Sequence, residues 1–517
     1  MKRAEGSLTR RTITGMLWTA WGKGAYAGLQ LLVLAVMARL ITPAEFGVVS
    51  AALVVIGFST VFSQLGLGPA LVQRSVLERR HLDTTFTTSV LFGVVLGGVL
   101  WLAAPAVAQL LRIDGVQPVV RALAWIFPLQ SFGIVAESLL RRELRFQWLA
   151  NLDVAAYAIG YGLVGIALAL AGWGVWALVA GQIAQGVVRT GVLLVQRPPR
   201  LERPFEMRAF QELLYFGGGF TVARAANYVA VQGDNMVVGR FLGPQALGFY
   251  GRAYSLMSAP AYAFGTVLDQ VLFPAMAKVQ HDPERLATAY RRGVALLALL
   301  VLAPSAALLL LGPEFIAVVL GRRWAPAVTS FQILTIGMLF RTSYKMSDSL
   351  ARSTGAVYRR AWRQIFYAVL VLLGAWIGQH WGIAGVAWGA LAALTVNFFL
   401  MAQLSLSVTG TTWRSFWEAH LPAVRLTAAS FPIVWVATLA LRHWGLPPLA
   451  VLGAAAGVAA ASVVVLCLRG PHLFLGRDGL WVLEELRQLS RWRSAATPPP
   501  PVAQSPAYQA TDVGDAR

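Results

Sequence analysis

From about Ile13 to Cys467 the sequence is a succession of apolar segments about 20 residues long, joined by short polar connections. A helix of that length crosses a hydrocarbon core ~30 Å thick. Inside lipid every backbone N–H and C=O must find its partner within the protein, so only helices and closed barrels can span. The two-residue alternation of barrel strands is absent. With 57% hydrophobic and 13% charged residues, the chain has too little polar surface to coat a soluble core of its size. The sequence therefore reads as an all-α polytopic membrane protein with about 14 transmembrane helices.

The expected spans lie near 13–40, 47–71, 84–105, 116–138, 148–171, 173–196, 211–238, 246–273, 286–311, 325–348, 359–379, 381–406, 418–441 and 447–468. Residues 1–12 form a short leading segment. The first apolar segment is too long for a signal-peptide core and is read as a retained helix. The longest connection, 197–210, is only a linker, so no soluble domain is inserted. Past the last span, residues 476–493 pattern as an amphipathic interfacial helix. Val482, Leu486 and Leu489 fall at i, i+4 and i+7 with Arg487, Arg491 and Arg493 nearby, although a plain solvated helix fits equally. Residues 494–517 open on a run of prolines and hold few large apolar side chains, a composition expected to be disordered.

The net charge of +20 is spent on topology rather than on nucleic acid. The N-terminus carries Lys2, Arg3, Arg10 and Arg11, and every second connection is basic. These are Arg74, Arg79 and Arg80; Arg141, Arg142 and Arg145; Arg197, Arg200, Arg203 and Arg208; Lys278, Arg285, Arg291 and Arg292; and Arg359, Arg360 and Arg363. The alternate connections hold far fewer cations. The positive-inside rule then places both termini and the 197–210 linker in the cytoplasm, in phase from end to end.

One stretch occurs twice. Lys23, Arg39, Pro43 and Gly47 return as Arg224, Arg240, Pro244 and Gly248, all at an offset of 201 residues. Glu137, Ser138, Leu139 and Arg141 return as Asp348, Ser349, Leu350 and Arg352, and Trp173-Gly174-Val175 returns as Trp381-Gly382-Ile383. A duplication follows, of residues 13–196 (helices 1–6) in residues 211–406 (helices 7–12). Each copy holds an even number of spans, so both enter the membrane from the same side and form two pseudo-symmetric lobes with a cavity between them. Helices 13 and 14, at 418–468, stand outside the duplication.

An ionisable side chain at the centre of a span costs about 2.5–3.5 kcal/mol and marks a cavity or a partner. Lys23 and Arg224 occupy matching depths in the two copies, where two facing cations would suit an anion such as a diphosphate. Alternatively each pairs with a carboxylate such as Glu137 or Asp153. Arg341, Lys345, Asp348 and Arg352 lie on one helix face, Arg341 and Lys345 reading as cavity-lining and Arg352 as the helix end rising into water. Asp234 and Asn235 inside a span are candidates for coupling to Na⁺ or a proton, or for an ion pair with Arg39 or Arg240. Asp153 and Asp269 are weaker candidates. Arg39 and Arg240 themselves suit the carbonyl ends of their helices. Trp173, Trp176, Trp381 and Trp388 read as interfacial anchors.

The motifs of enzymes are missing. There is no phosphate-binding loop, no His-Glu-x-x-His and no Gly-x-Ser-x-Gly. The lone Cys467 excludes an internal disulfide, and six scattered histidines suggest no metal site. Transport without catalysis, cofactor or metal is the expectation.

The stretch ARLITPAEFGVVSAALVVIGFSTVFSQLGLGPALVQR resembles the first hairpin of the Wzx-type polysaccharide exporters. DNMVVGRFLGPQALGFYGRAYSLM is similar to their seventh and eighth spans, and ESLLRRELRF to the end of their fourth. The colanic-acid-exporter-like branch of the multidrug/oligosaccharidyl-lipid/polysaccharide exporter superfamily is the nearest match, over roughly residues 10 to 470. The resemblance implies a V-shaped pair of six-helix lobes that alternates between inward-open and outward-open states. It implies a lipid-linked oligosaccharide on undecaprenyl diphosphate as cargo, flipped to the periplasmic leaflet of a bacterial inner membrane for exopolysaccharide or lipopolysaccharide biosynthesis. Partner polysaccharide polymerases and glycosyltransferases are implied too. Cationic cavity residues hold the diphosphate in related flippases; Lys23, Arg224, Arg341 and Lys345 have positions that fit. A drug or organic-cation antiporter of the same superfamily is the main alternative, and it would be expected to line its cavity with carboxylates instead.

Overall fold

The computed structural model describes residues 24, 26–63, 66–74, 77–199, 205–482 and 484, less the side chains at 63, 209, 212–223, 226, 261–272, 274, 275 and 357. Among these residues the regular structure is helical throughout, and nine helices are long and apolar enough to cross a membrane. In chain order the first half runs α1 (Tyr26–Leu40), α2 (Pro43–Ser63), α3 (Leu67–Gln73), α4 (Arg79–Leu111), α5 (Val116–Ala124), α6 (Ile126–Arg142), α7 (Phe146–Tyr157), α8 (Ile166–Leu170) and α9 (Val175–Gln196). A π-helical stretch, Ala158–Gly165, joins α7 to α8. The second half runs α10 (Met207–Lys278), α11 (Pro283–Leu310), α12 (Gly312–Val319), α13 (Ala327–Ile336), α14 (Met338–Ser353), α15 (Val357–Gly378) and α16 (Gly382–Thr409), followed by α17 (Trp413–His443) and α18 (Pro448–Arg469).

Several expected spans are interrupted, each for a local reason. The segment expected at 47–71 is broken at Gly66, whose φ of 68° suits glycine, before Leu67 opens α3. The one expected at 325–348 is broken at Gly337 into α13 and α14. The spans expected at 211–238 and 246–273 are one helical run, α10, bent at Gly243 with φ 84° and ψ 179°. The short helix α12 lies in what the hydropathy pattern left as a connection. Of the expected interfacial helix, Asp478 pairs with Arg291 of α11 at 3.0 Å, and Arg292 lies 4.0 Å from the Trp481 ring. That end of the chain docks on protein; residues beyond 484, and Lys23 with the residues before it, lie outside the described ones.

The repeated Pro-x-x-x-Gly turns start α2 and the second limb of α10. Pro43 opens α2 behind Thr42, whose backbone N–H donates to Glu45 Oε2 at 2.8 Å while the Glu45 N–H donates to Thr42 Oγ1 at 3.3 Å. Pro244 opens the second limb directly after Gly243, where α10 bends. The two turns then meet each other reciprocally. A Cβ on Gly47 would collide with the Pro244 carbonyl, and a Cβ on Gly248 with the Pro43 carbonyl. Only glycine lets the two helices cross so closely, and the exchange relates equivalent residues by a local two-fold. Below this seam α2 continues along α10, where the Tyr228 hydroxyl donates to the Val54 carbonyl at 2.9 Å.

Trp324 seals the same end. It is fully buried, its indole N–H donates to the Ala38 carbonyl at 2.9 Å, and its ring lies edge-on to Phe46 at 5.4 Å and to Phe249 at 5.9 Å. Arg39 spans the seam as well. Its Nη1 donates to the Ala35 carbonyl at 2.7 Å, at the end of its own helix, and its Nη2 donates to Val318 at 2.6 Å, at the end of α12.

Candidate functional site

A cavity of about 470 Å³ opens below the seam, between the two halves of the chain. Its first wall comes from α1 (Tyr26, Gln30), α2 (Val49, Leu53), the α7 end and π stretch (Tyr157, Tyr161), and α9 (Gln182, Gln185). Its second wall is the limb of α10 after the Gly243 bend, carrying Arg252 and Ser255.

The π stretch positions the tyrosines. Gly160 lies against the α9 backbone, where a Cβ would stand 2.6 Å from the Gln185 nitrogen and the Gly181 carbonyl oxygen. That close approach brings Tyr157 and Tyr161 to the cavity together, 5.2 Å apart between ring centroids. Such π segments inside α-helices frequently coincide with functional sites. Tyr26 meets Tyr157 edge-on at 5.5 Å, and the Tyr161 hydroxyl donates to Gln182 Oε1 at 2.6 Å.

Among the described residues Arg252 is the charged side chain that lines this cavity. Its Nη2 donates weakly to Ser50 Oγ at 3.4 Å and its guanidinium lies 5.1 Å from the Phe46 ring. Its Nε is buried without a hydrogen-bond partner. Among the described residues no carboxylate lines the cavity. The nearby carboxylates of the first half, Glu137 and Asp153, are held by Arg189 of α9 at 2.9 and 2.7 Å. Arg189 therefore pairs with both of the carboxylates that the sequence offered as partners for Lys23 or Arg224, and Lys23 lies outside the described residues.

The sequence-derived candidates fall in several places. Lys23 lies outside the described residues. Arg224 is exposed on the first limb of α10, one turn before Tyr228. Lys345 is half-buried on α14. Arg341 lines a separate closed space of about 10 Å³ inside the second half, together with Asp234, Tyr254 and Tyr367. Its guanidinium lies 4.7 Å from the Tyr254 ring. The structure thus brings Arg341 to Asp234 and sets it apart from Arg252. Asp234 is 2% exposed; its Oδ2 accepts from the Tyr250 hydroxyl at 2.7 Å and its Oδ1 from the Asn235 N–H at 2.8 Å. Asn235 Nδ2 donates to Gln232 Oε1 at 2.7 Å, and Asn235 Oδ1 is buried without a partner. The Asp234–Arg39 pair considered from sequence does not form, because Arg39 reaches away to α12. Further along α14, Asp348 pairs with Arg352 at 3.1 Å and with Arg360. Among the described residues no cluster of His, Cys, Asp or Glu could hold a metal ion.

Arg252 and the three tyrosines escaped the reading of sequence. A signal for Arg252 was present, in that a cation interrupts the apolar run GFYGRAYSLM where the first copy has Ala51. The tyrosines carried none, since aromatic residues are common throughout the spans.

Comparison with known proteins places this geometry in context. A family model described as polysaccharide biosynthesis protein matches residues 36–329, more than half of the chain. The lipopolysaccharide biosynthesis protein WzxC of Escherichia coli (strain K12) is 25% identical over 79% of this chain and 84% of its own length. The succinoglycan biosynthesis transport protein ExoT of Rhizobium meliloti (strain 1021) is 28% identical over 89% of this chain and 92% of its own. Among solved structures, the lipid II flippase MurJ in an inward closed conformation superposes with a TM-score of 0.73 at 12% identity, covering 88% of this chain and 99% of that one. At that identity the likeness is one of fold.

Proposed function

The chain belongs to the polysaccharide biosynthesis protein family, and from that premise we propose that it flips an undecaprenyl-diphosphate-linked oligosaccharide from the cytoplasmic to the periplasmic leaflet of a bacterial inner membrane. The observation that carries this reading is Arg252, a cation without a carboxylate on the wall of a cavity large enough for a head group. A guanidinium in a space of low dielectric, with one nitrogen still unpaired, is built to receive a phosphate oxygen. An organic-cation antiporter would need the opposite charge there. The relatives, a lipopolysaccharide biosynthesis protein and a succinoglycan transport protein, point to the same class of cargo.

In the proposed cycle residues 13–196 rock against residues 211–406. The seam at Gly47, Gly248 and Trp324 is the outer gate, and both termini stay in the cytoplasm. The diphosphate docks on Arg252, the glycan fills the cavity, and the lipid tail remains in the bilayer. Lys23, Arg224 and Lys345 are proposed as further cationic contacts along the path. Asp234 with Asn235 is proposed as the coupling group. Its 10 Å³ space beside Arg341 suits a proton, which needs no volume, better than Na⁺ with its ligands. The membrane potential supplies ~2.3 kcal/mol per elementary charge per 100 mV for the moving anion. No covalent chemistry is assigned, and the polymerase and glycosyltransferases of the same pathway are proposed partners.

Deleting the gene in its own organism, with mass spectrometry of undecaprenyl-diphosphate glycans and assay of surface polymer, tests the reading. Accumulated glycolipid with lost polymer, reversed by wild type and not by Arg252→Gln, is expected. Unchanged glycolipid with altered resistance to cationic drugs would contradict it.

A further inference from the structure

The cavity between the lobes is chemically lopsided. The wall after the Gly243 bend supplies the cation, Arg252. The opposite wall supplies three tyrosines and three amides, Tyr26, Tyr157 and Tyr161 with Gln30, Gln182 and Gln185, and among the described residues no charged side chain. Arg189 and Asp153, the charged pair on that side, satisfy each other at 2.7 Å. With Tyr161 donating to Gln182 Oε1 at 2.6 Å, the Gln182 amide is fixed with its NH₂ as a donor. The rings of Tyr26, Tyr157 and Tyr161 form one continuous aromatic surface, neighbouring centroids lying 5.5 and 5.2 Å apart.

Such a wall has the properties of a sugar ring turned inside out. A pyranose has an apolar C–H face, which packs on an aromatic ring, and a rim of hydroxyls, which need donors and acceptors together. Amides and phenols offer both. A sugar carboxylate, by contrast, would lose its water there and, among the described residues, meet no cation on its own wall, because Arg252 faces it from the other. We propose that the sugar joined to the diphosphate rests on this tyrosine–glutamine wall, and that the wall selects a neutral sugar at that position over an acidic one. This rests on the reading of Arg252 as the diphosphate anchor, and it adds the determinant of specificity.

The test uses the full chain in lipid nanodiscs and three soluble probes: farnesyl diphosphate, farnesyl-diphospho-glucose and farnesyl-diphospho-glucuronic acid. Affinities are measured by microscale thermophoresis. Wild type should bind the glucosyl probe roughly tenfold more tightly than sugar-free farnesyl diphosphate, the factor expected of about one well-stacked ring. It should bind the glucuronyl probe no better than the sugar-free one. Tyr157→Leu should bring the ratio of glucosyl to sugar-free affinity down to about one, whereas Tyr157→Phe, which retains the ring, should keep it. Equal wild-type affinity for the glucosyl and sugar-free probes, a preference for the glucuronyl probe, or an unchanged ratio in Tyr157→Leu would overturn the neutral-sugar wall while leaving the anion site standing. Failure of Arg252→Gln to weaken any of the three probes would instead overturn the anchor on which the inference rests.

Discussion

Two arginines of this chain, Arg252 and Arg341, stand inside the membrane-spanning region among tyrosines, and they occupy opposite kinds of space. Arg341 shares about 10 Å³ with the carboxylate of Asp234. Arg252 faces about 470 Å³ and, among the described residues, no carboxylate. The first space holds little more than one water molecule, and groups of both signs line it. The second has room and an unspent charge. What a buried cation does is thus decided by its cavity-mates. With a carboxylate and no room it organises a lobe, and with room and no carboxylate it waits for an anion. The duplication sharpens the contrast. Equivalent residues repeat faithfully at the seam, where Gly47 and Gly248 each touch the other's proline. At the cavity the symmetry fails, since Arg252 stands where the first copy has Ala51. A cargo with a charged end and a sugar end has use for two different walls.

Substitutions can break this contrast, and the largest effect is expected at Arg252. Arg252→Ala should reduce flux in proteoliposomes about 100-fold, the order expected when a desolvated charge partner is truncated, with no loss of folded protein in size-exclusion profiles. Arg341→Ala should act on stability instead, by about 1–3 kcal/mol, because it removes the guanidinium packed on Tyr254 in the small space it shares with buried Asp234. Joint replacement, Asp234→Leu with Arg341→Met, should recover most of that loss in thermal unfolding. Equal stability of Arg341→Ala and wild type would erase the distinction between the two sites.

The seam gives a smaller effect. Trp324→Phe keeps the ring and deletes the hydrogen bond to Ala38, worth about 1 kcal/mol. In a Cys467→Ser background, a cysteine introduced at Phe46 should label faster from the outer side than it does with Trp324 intact. The smallest change is expected from Asp234→Asn, which should weaken the response of flux to a proton gradient and leave any response to Na⁺ alone. Flux still tracking the proton gradient would make Asp234 a purely structural partner of Arg341.

Much of the fold was legible in the sequence because membrane spans are written in length and apolarity, which need no neighbour to be read. The duplication was legible for a similar reason, since its prolines and glycines act on the backbone locally. The breaks at Gly66 and Gly337 were not, because a glycine inside an apolar run does not reveal whether its φ will turn positive or its neighbours will crowd it. The bend at Gly243 was placed in the right turn but was expected as a connection rather than a single residue within one helical run. For the candidate site, sequence singled out the in-span cations Lys23, Arg224, Arg341 and Lys345 and did not single out Arg252. Arg341 and Asp234 were both singled out, but from spans far apart in the chain, and only packing could bring them together. Glu137 and Asp153 were recognised as available carboxylates, while their partner, Arg189, became visible only when α9 was laid beside α6 and α7.

The most direct measurement is native mass spectrometry of the full chain purified gently from its own cells, wild type beside Arg252→Gln. Wild type should carry a bound polyprenyl-diphosphate glycan that is depleted in Arg252→Gln, with both proteins equally folded. Equal loading of the two would contradict the assignment of Arg252 as the anchor of an anionic cargo.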